Sequence, residues 1–133
     1  MQTRSRRPAL LAAVFAGILV AASVQAGDAR RHTNHISFAM PVGLPGVTLA
    51  PGTYIFELAD SDFSGNIVRV WNRDRSSVFF AGFTHRQPRP SNWPARRPVS
   101  LGEAPSGTVP PILVWYPLGE SDGYGFTYTE RRR

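Results

Sequence analysis

A chain of 133 residues with no cysteine, 15 arginines, no lysine and 9 carboxylates is long enough for one folded domain, and it excludes a disulfide framework, a thiolate metal centre and a lipidated cysteine. Its formal charge of +6 does not point to nucleic acid, because no recognition helix or RNA-binding sheet motif accompanies it. Part of that charge also belongs to an N-terminal segment that differs in kind from the rest.

Residues 1–26 have the layout of a secretory signal peptide. Arg4, Arg6 and Arg7 form a positive head, residues 9–24 an alanine-rich apolar run, and Val24-Gln25-Ala26 ends on a small residue before Gly27. A run of 16 residues falls short of the roughly 20 that a spanning helix needs, so cleavage after Ala26 is expected rather than a membrane anchor. Ser5-Arg6-Arg7 resembles a twin-arginine signal, which leaves the export route open. Processing leaves residues 27–133 with a formal charge of +3, expected in the periplasm or outside the cell and without a transmembrane segment.

Residues 27–34 are polar and read as a loose arm. Ile36, Phe38 and Met40 alternate with Ser37 and Ala39 in a first strand that Pro41 ends. Val47-Thr48-Leu49 forms a second strand between Pro45-Gly46 and Pro51-Gly52, the latter read as a type II turn because Pro presets φ and Gly tolerates φ > 0. Tyr54, Phe56 and Leu58 then alternate with Thr53, Ile55 and Glu57, the period of a strand covering a core. Residues 59–66 are a loop by composition. The runs 67–71 and 78–83, joined by a short polar connection, predict an antiparallel hairpin.

Residues 85–98 break this rhythm. Pro88, Pro90, Pro94 and Pro98 punctuate Arg86, Arg89, Arg96 and Arg97 around Trp93, which predicts an extended, exposed excursion without ladder or helix. A brief strand over 99–101, a Pro/Gly turn region over 103–111, a continuous apolar central strand over 112–116 and a last strand alternating Tyr124, Phe126 and Tyr128 complete the chain. Seven or eight short strands without any 3.6-residue period outside the leader predict a single small antiparallel β-sandwich or partly closed barrel.

Leu49-x-Pro51-Gly52-x-Tyr54 is similar to the signature of a tyrosine corner, whose hydroxyl bonds a backbone group a few residues upstream. It falls early in the chain, so the local device is shared with immunoglobulin-like domains while the topology is not. Together with Leu44-Pro45-Gly46-Val47-Thr48, Gly102-Glu103-Ala104-Pro105, Trp115-Tyr116-Pro117 and Gly125-Phe126-x-Tyr128, it resembles a group of small exported bacterial all-β proteins. The resemblance implies fold and export and brings no activity with it.

Chemistry is thinly represented. His85 is the one histidine expected inside the folded region, and no G-x-S-x-G context surrounds any serine. Asp60 and Asp62 share a loop while Glu57, Glu103 and Glu120 lie elsewhere, so nothing brings a carboxylate pair together. His32-x-x-His35 supplies two imidazoles where zinc takes three or four ligands, and Asp60-Ser61-Asp62 with Gly65 and Asn66 lacks the closing Glu of a calcium loop. No catalytic residue, metal site or cofactor is therefore assigned. The most distinctive side chains are Arg86, Arg89, Trp93, Arg96 and Arg97, where guanidiniums and an indole on a proline-stiffened loop suit an anionic surface polymer or an acidic envelope protein; a solvated loop is the plain alternative. Trp115-Tyr116 and the stripe Tyr124, Phe126, Tyr128 read as core rather than as a carbohydrate cleft. The expected function is an exported non-catalytic binding or structural module. One alternative is a subunit or adaptor that pairs through an edge strand or its Arg/Pro loop with a larger envelope protein, which a flat apolar patch or free edge would favour. The other is a small hydrolase or metal-dependent enzyme, which a cleft with convergent polar groups would favour.

Overall fold

The computed structural model describes residues 24–26, 33–59 and 66–129. They contain eleven strands and no helix: β1 (Val24–Ala26), β2 (Thr33–Phe38), β3 (Val42–Leu44), β4 (Val47–Leu49), β5 (Gly52–Leu58), β6 (Ile67–Asn72), β7 (Val78–Phe83), β8 (His85–Pro88), β9 (Val99–Leu101), β10 (Ile112–Trp115) and β11 (Asp122–Gly125). An antiparallel sheet in the order β1-β2-β5-β6-β7 faces a second in the order β8-β11-β10-β9, and the hairpin β3-β4 fills one side. This is a small β-sandwich, not closed into a barrel. No helix among the described residues is long and apolar enough to cross a membrane.

Alternation builds the first sheet. Ile36, Phe38, Tyr54, Phe56, Val68 and Val70 all join one core with Val99, Ile112, Trp115, Tyr124 and Phe126 of the second sheet. Trp115, fully buried, sits between the layers with its ring centroid 5.9 Å from Phe56 and 5.8 Å from Tyr124. Phe80 meets Phe126 edge-on at 5.4 Å. The apolar run of β10 is central, as its sequence implied, but a bulge between Ile112 and Val114 lets both Ile112 and Trp115 face the core and turns Leu113 outward, 40% exposed.

The tyrosine corner is present. The Tyr54 hydroxyl donates to the Ala50 carbonyl at 2.6 Å. The type II geometry, however, belongs to the other Pro-Gly pair: Gly46, with φ 78, turns β3 into β4, whereas Gly52, with φ 156, is already the first residue of β5. β3 is hidden in the sequence because its central Gly43 lies between Pro41 and Pro45, a composition that reads as turn. Its Gly43 amide donates to the Pro110 carbonyl at 2.9 Å, and the Tyr128 hydroxyl lies 2.6 Å from the Ile112 carbonyl and 3.1 Å from that of Gly43, so the hairpin is tied to the second sheet.

Burial pushes the pKa of Tyr54 and of Tyr128 above the ordinary 10.0, and that of Tyr128 more strongly. A group whose folded value is raised contributes stability that is complete below pH 10.0 and is lost as pH climbs towards the folded value, because the unfolded chain ionises first. Tyr128→Phe is therefore expected to flatten the loss of stability above pH 10.0, read as the urea midpoint against pH.

Three further expectations change. Thr33 and Asn34 are not part of a loose arm: both lie buried in β2, and His35 beside them means His85 is not the sole histidine within the fold. Residues 85–98 do contribute a ladder strand, since β8 pairs Asp122↔Pro88 through Gly125↔His85. Proline is compatible there because β8 is an edge strand bonded on one side only. The last strand stops at Gly125, yet Phe126 and Tyr128 continue into the core as the aromatic stripe implied. Residues 1–23, 27–32, 60–65 and 130–133, with the leader's head, residues 9–23 of its apolar run, His32 and the Asp60-Ser61-Asp62 loop, lie outside the described residues. Val24-Gln25-Ala26, where the expected leader ends, pair with Ile36, His35 and Asn34 as β1.

Candidate binding surface

The chain beyond β8 is folded by its own prolines. The Arg89 amide donates to the Ser121 carbonyl at 2.9 Å, after which Pro90 and Pro94 each open a turn, closed by Trp93 N–H to Pro90 O at 3.0 Å and Arg97 N–H to Pro94 O at 3.1 Å. The Pro98 carbonyl then accepts from the Tyr116 amide at 2.7 Å, which returns the chain to the second sheet. A segment expected to be an extended excursion is instead two consecutive turns laid over the outer face of that sheet.

Those turns stack four side chains. Trp93 donates its indole N–H to the Arg97 carbonyl at 2.8 Å and lies with its ring 4.9 Å from Tyr116. The Arg97 guanidinium sits 5.3 Å from the Trp93 ring, and that of Arg89 5.7 Å from Tyr116. Tyr116, which the apolar run 112–116 implies to be core, is buried, but beneath Trp93 on the outer face rather than between the sheets. The floor under it is Gly123, where an added Cβ would come 2.5 Å from the Tyr116 ring and 2.8 Å from Val114. Only a residue without a side chain leaves room for the ring at that position.

The five predicted site residues separate into two groups. Arg89, Trp93 and Arg97 come together through Tyr116, with Arg96 exposed on the same turn. Arg86 is opposite Tyr124 in the ladder, rests 5.8 Å from that ring and lies 3.8 Å from Asp122. It therefore covers the core face of the second sheet at its edge. Arg89 also reaches the carbonyls of Glu120 and Ala95 at 3.4 and 3.3 Å, which fixes its orientation. Among the described residues, Arg89, Arg96 and Arg97 form no ion pair, whereas Arg75 pairs with Glu57 at 2.9 Å. Tyr116 was the member missing from the sequence reading. Its signal was its place at the end of the β10 run, just before Pro117.

Two carboxylates of the first sheet and its hairpin are engaged locally. Glu57, buried on the outer face of the first sheet, accepts from the Trp71 indole at 2.6 Å as well as from Arg75, which adopts φ 61 over it. Asp74, held below the ordinary carboxylate range by the hydroxyl and amide of Ser76, closes its own turn. It borders an open depression floored by Tyr54 and Phe79. Among the described residues no three His, Asp or Glu side chains gather as a metal site would require. Neither protein-family models, nor curated proteins, nor solved structures yield a match to this chain.

Proposed function

We propose that the chain is an exported, non-catalytic binding module of the bacterial envelope or extracellular space, and that it holds an anionic surface polymer on Arg89, Trp93, Arg96 and Arg97. Export rests on the residue pattern of positions 1–26. Binding rests on one observation: the Arg97–Trp93–Tyr116–Arg89 stack is ordered without an ion pair between its arginines and a carboxylate among the described residues. The Arg97 guanidinium, held over Trp93, keeps its N–H edge available for carboxylate, phosphate or sulfate groups, and Arg89, whose N–H groups donate to the Glu120, Pro94 and Ala95 carbonyls, adds fixed positive charge beside it. Both arginines also lose little conformational entropy on binding, so a modest contact area suffices. The adaptor reading has a separate observation in its favour, the uncovered edge of β7.

Retention on an immobilised polyuronate at low salt tests the reading. The protein is expected to be held and to elute as salt rises, the triple change Arg89→Ser, Arg96→Ser, Arg97→Ser to pass unretained, and Arg86→Ser to behave as wild type. Equal retention of the triple variant, with an unchanged circular dichroism spectrum, overturns it.

A further inference from the structure

Sheet edges are ordinarily protected by charge, proline or brevity. β8 carries Arg86 and Pro88, and β1 and β9 have three residues each. β7 has six residues, Val-Phe-Phe-Ala-Gly-Phe, with no charge and no proline, and leaves Val78 46%, Phe79 40% and Phe83 74% exposed. Its N-terminal half is bulged between the pairs Val70↔Phe80 and Trp71↔Val78, but Phe80 to Phe83 run in regular register. β4 comes up beside β7 and pairs only with β3.

The direction of the free groups follows from the ladder. The Thr84 amide donates to the Asn66 carbonyl at 2.8 Å, and the Ile67 carbonyl is turned the other way, towards the Ala59 amide at 2.8 Å. Hydrogen-bonded pairs alternate in an antiparallel ladder, so Gly82 and Phe80 bond Val68 and Val70, while the amides and carbonyls of Ala81 and Phe83 point away from β6.

We propose that β7 pairs with β7 of a second copy of this chain, antiparallel about a two-fold axis at Gly82. Ala81 of each copy then exchanges both backbone hydrogen bonds with Phe83 of the other, four bonds in all, and joins the β2-β5-β6-β7 sheets of the two copies into one. The strand is suited to itself. No like charges meet across the axis, and the small Ala81 lies beside the large Phe83 on one face. Arg69 is opposite Ala81 on β6 and makes no hydrogen bond or ion pair among the described residues, so its guanidinium is free to extend over Ala81 to the Phe83 ring of the other copy. An isologous pairing of this kind closes on itself and removes both free edges without forming a fibre.

Sedimentation equilibrium of the full chain over a concentration series tests this. The weight-average mass is expected to rise towards twice the monomer mass, and both Phe83→Lys and Ala81→Pro to remain monomeric at every concentration, melting as dilute wild type does. The proline removes only an amide that points outward. Should it disturb the fold, the lysine at a residue already 74% exposed carries the test alone. A wild type that stays monomeric, a folded Phe83→Lys that still dimerises, or a monomer that takes up a different chain on β7 each overturns the proposal.

Discussion

Trp115→Ala is expected to lower the stability of the domain by about 3–5 kcal/mol, the range for truncating a large buried aromatic. Trp115 is fully buried and is the largest such side chain. It is a contact shared by both layers, meeting Phe56 of the first sheet and Tyr124 of its own. Alanine would leave a void between sheets whose backbones are fixed by ladders on both sides, so collapse cannot refill it. The same change removes the indole N–H that reaches the Asn34 side-chain oxygen at 3.2 Å. Urea unfolding checks the value. A loss under about 1 kcal/mol would mean that the layers do not meet at Trp115.

Asn34→Leu is the second large effect, at about 2–4 kcal/mol. The Asn34 side-chain oxygen accepts from both the Trp115 indole and the Leu118 amide at 3.1 Å, while its own amide nitrogen donates to the Thr33 carbonyl at 3.0 Å. Leucine has a similar volume and leaves the buried Trp115 indole N–H and the partly buried Leu118 amide without this acceptor, and the desolvation of the indole N–H is the main cost. A double-mutant cycle with Trp115→Phe separates the shared hydrogen bond from simple packing. The pair is expected to couple, since Trp115→Phe has already removed one of the two donors that the leucine orphans. Additive losses would contradict the link.

Where the sequence could be read, it was read through local chemistry. The core face of β5, the β6–β7 hairpin and the central place of β10 followed from alternation and turn residues within a few positions of each other. Leu49-x-Pro51-Gly52-x-Tyr54 gave the tyrosine corner for the same reason, its bond spanning four residues. Asn34 is the opposite case. Its partners are 81 and 84 residues away, and a polar residue within a polar stretch carries no mark that it will be buried. β8 was hidden by Pro88, because a rule about prolines in ladders has to be relaxed at an edge and the sequence does not say which strands are edges.

The arginine surface was legible only as a composition. That Arg89, Arg97 and Trp93 belong together depends on Tyr116 and on the bare floor at Gly123, two residues from other strands. That Arg86 belongs to the opposite face depends on its register against Tyr124. A cluster of five candidates thus becomes a platform of four with Tyr116 beneath it and one residue set apart, which makes Arg86 an internal control of matched charge.

The most direct measurement is an equilibrium titration of the protein with a soluble polyuronate at several salt concentrations, for wild type, Arg86→Ser and Arg96→Ser, the two arginines that do not build the stack. The expected result is binding that weakens steadily with salt, unchanged by Arg86→Ser and reduced several-fold by Arg96→Ser, since each lost charge contact removes its share of released counterions. Binding that is absent in wild type, or reduced equally by the two substitutions, would contradict a platform on the outer face of the second sheet.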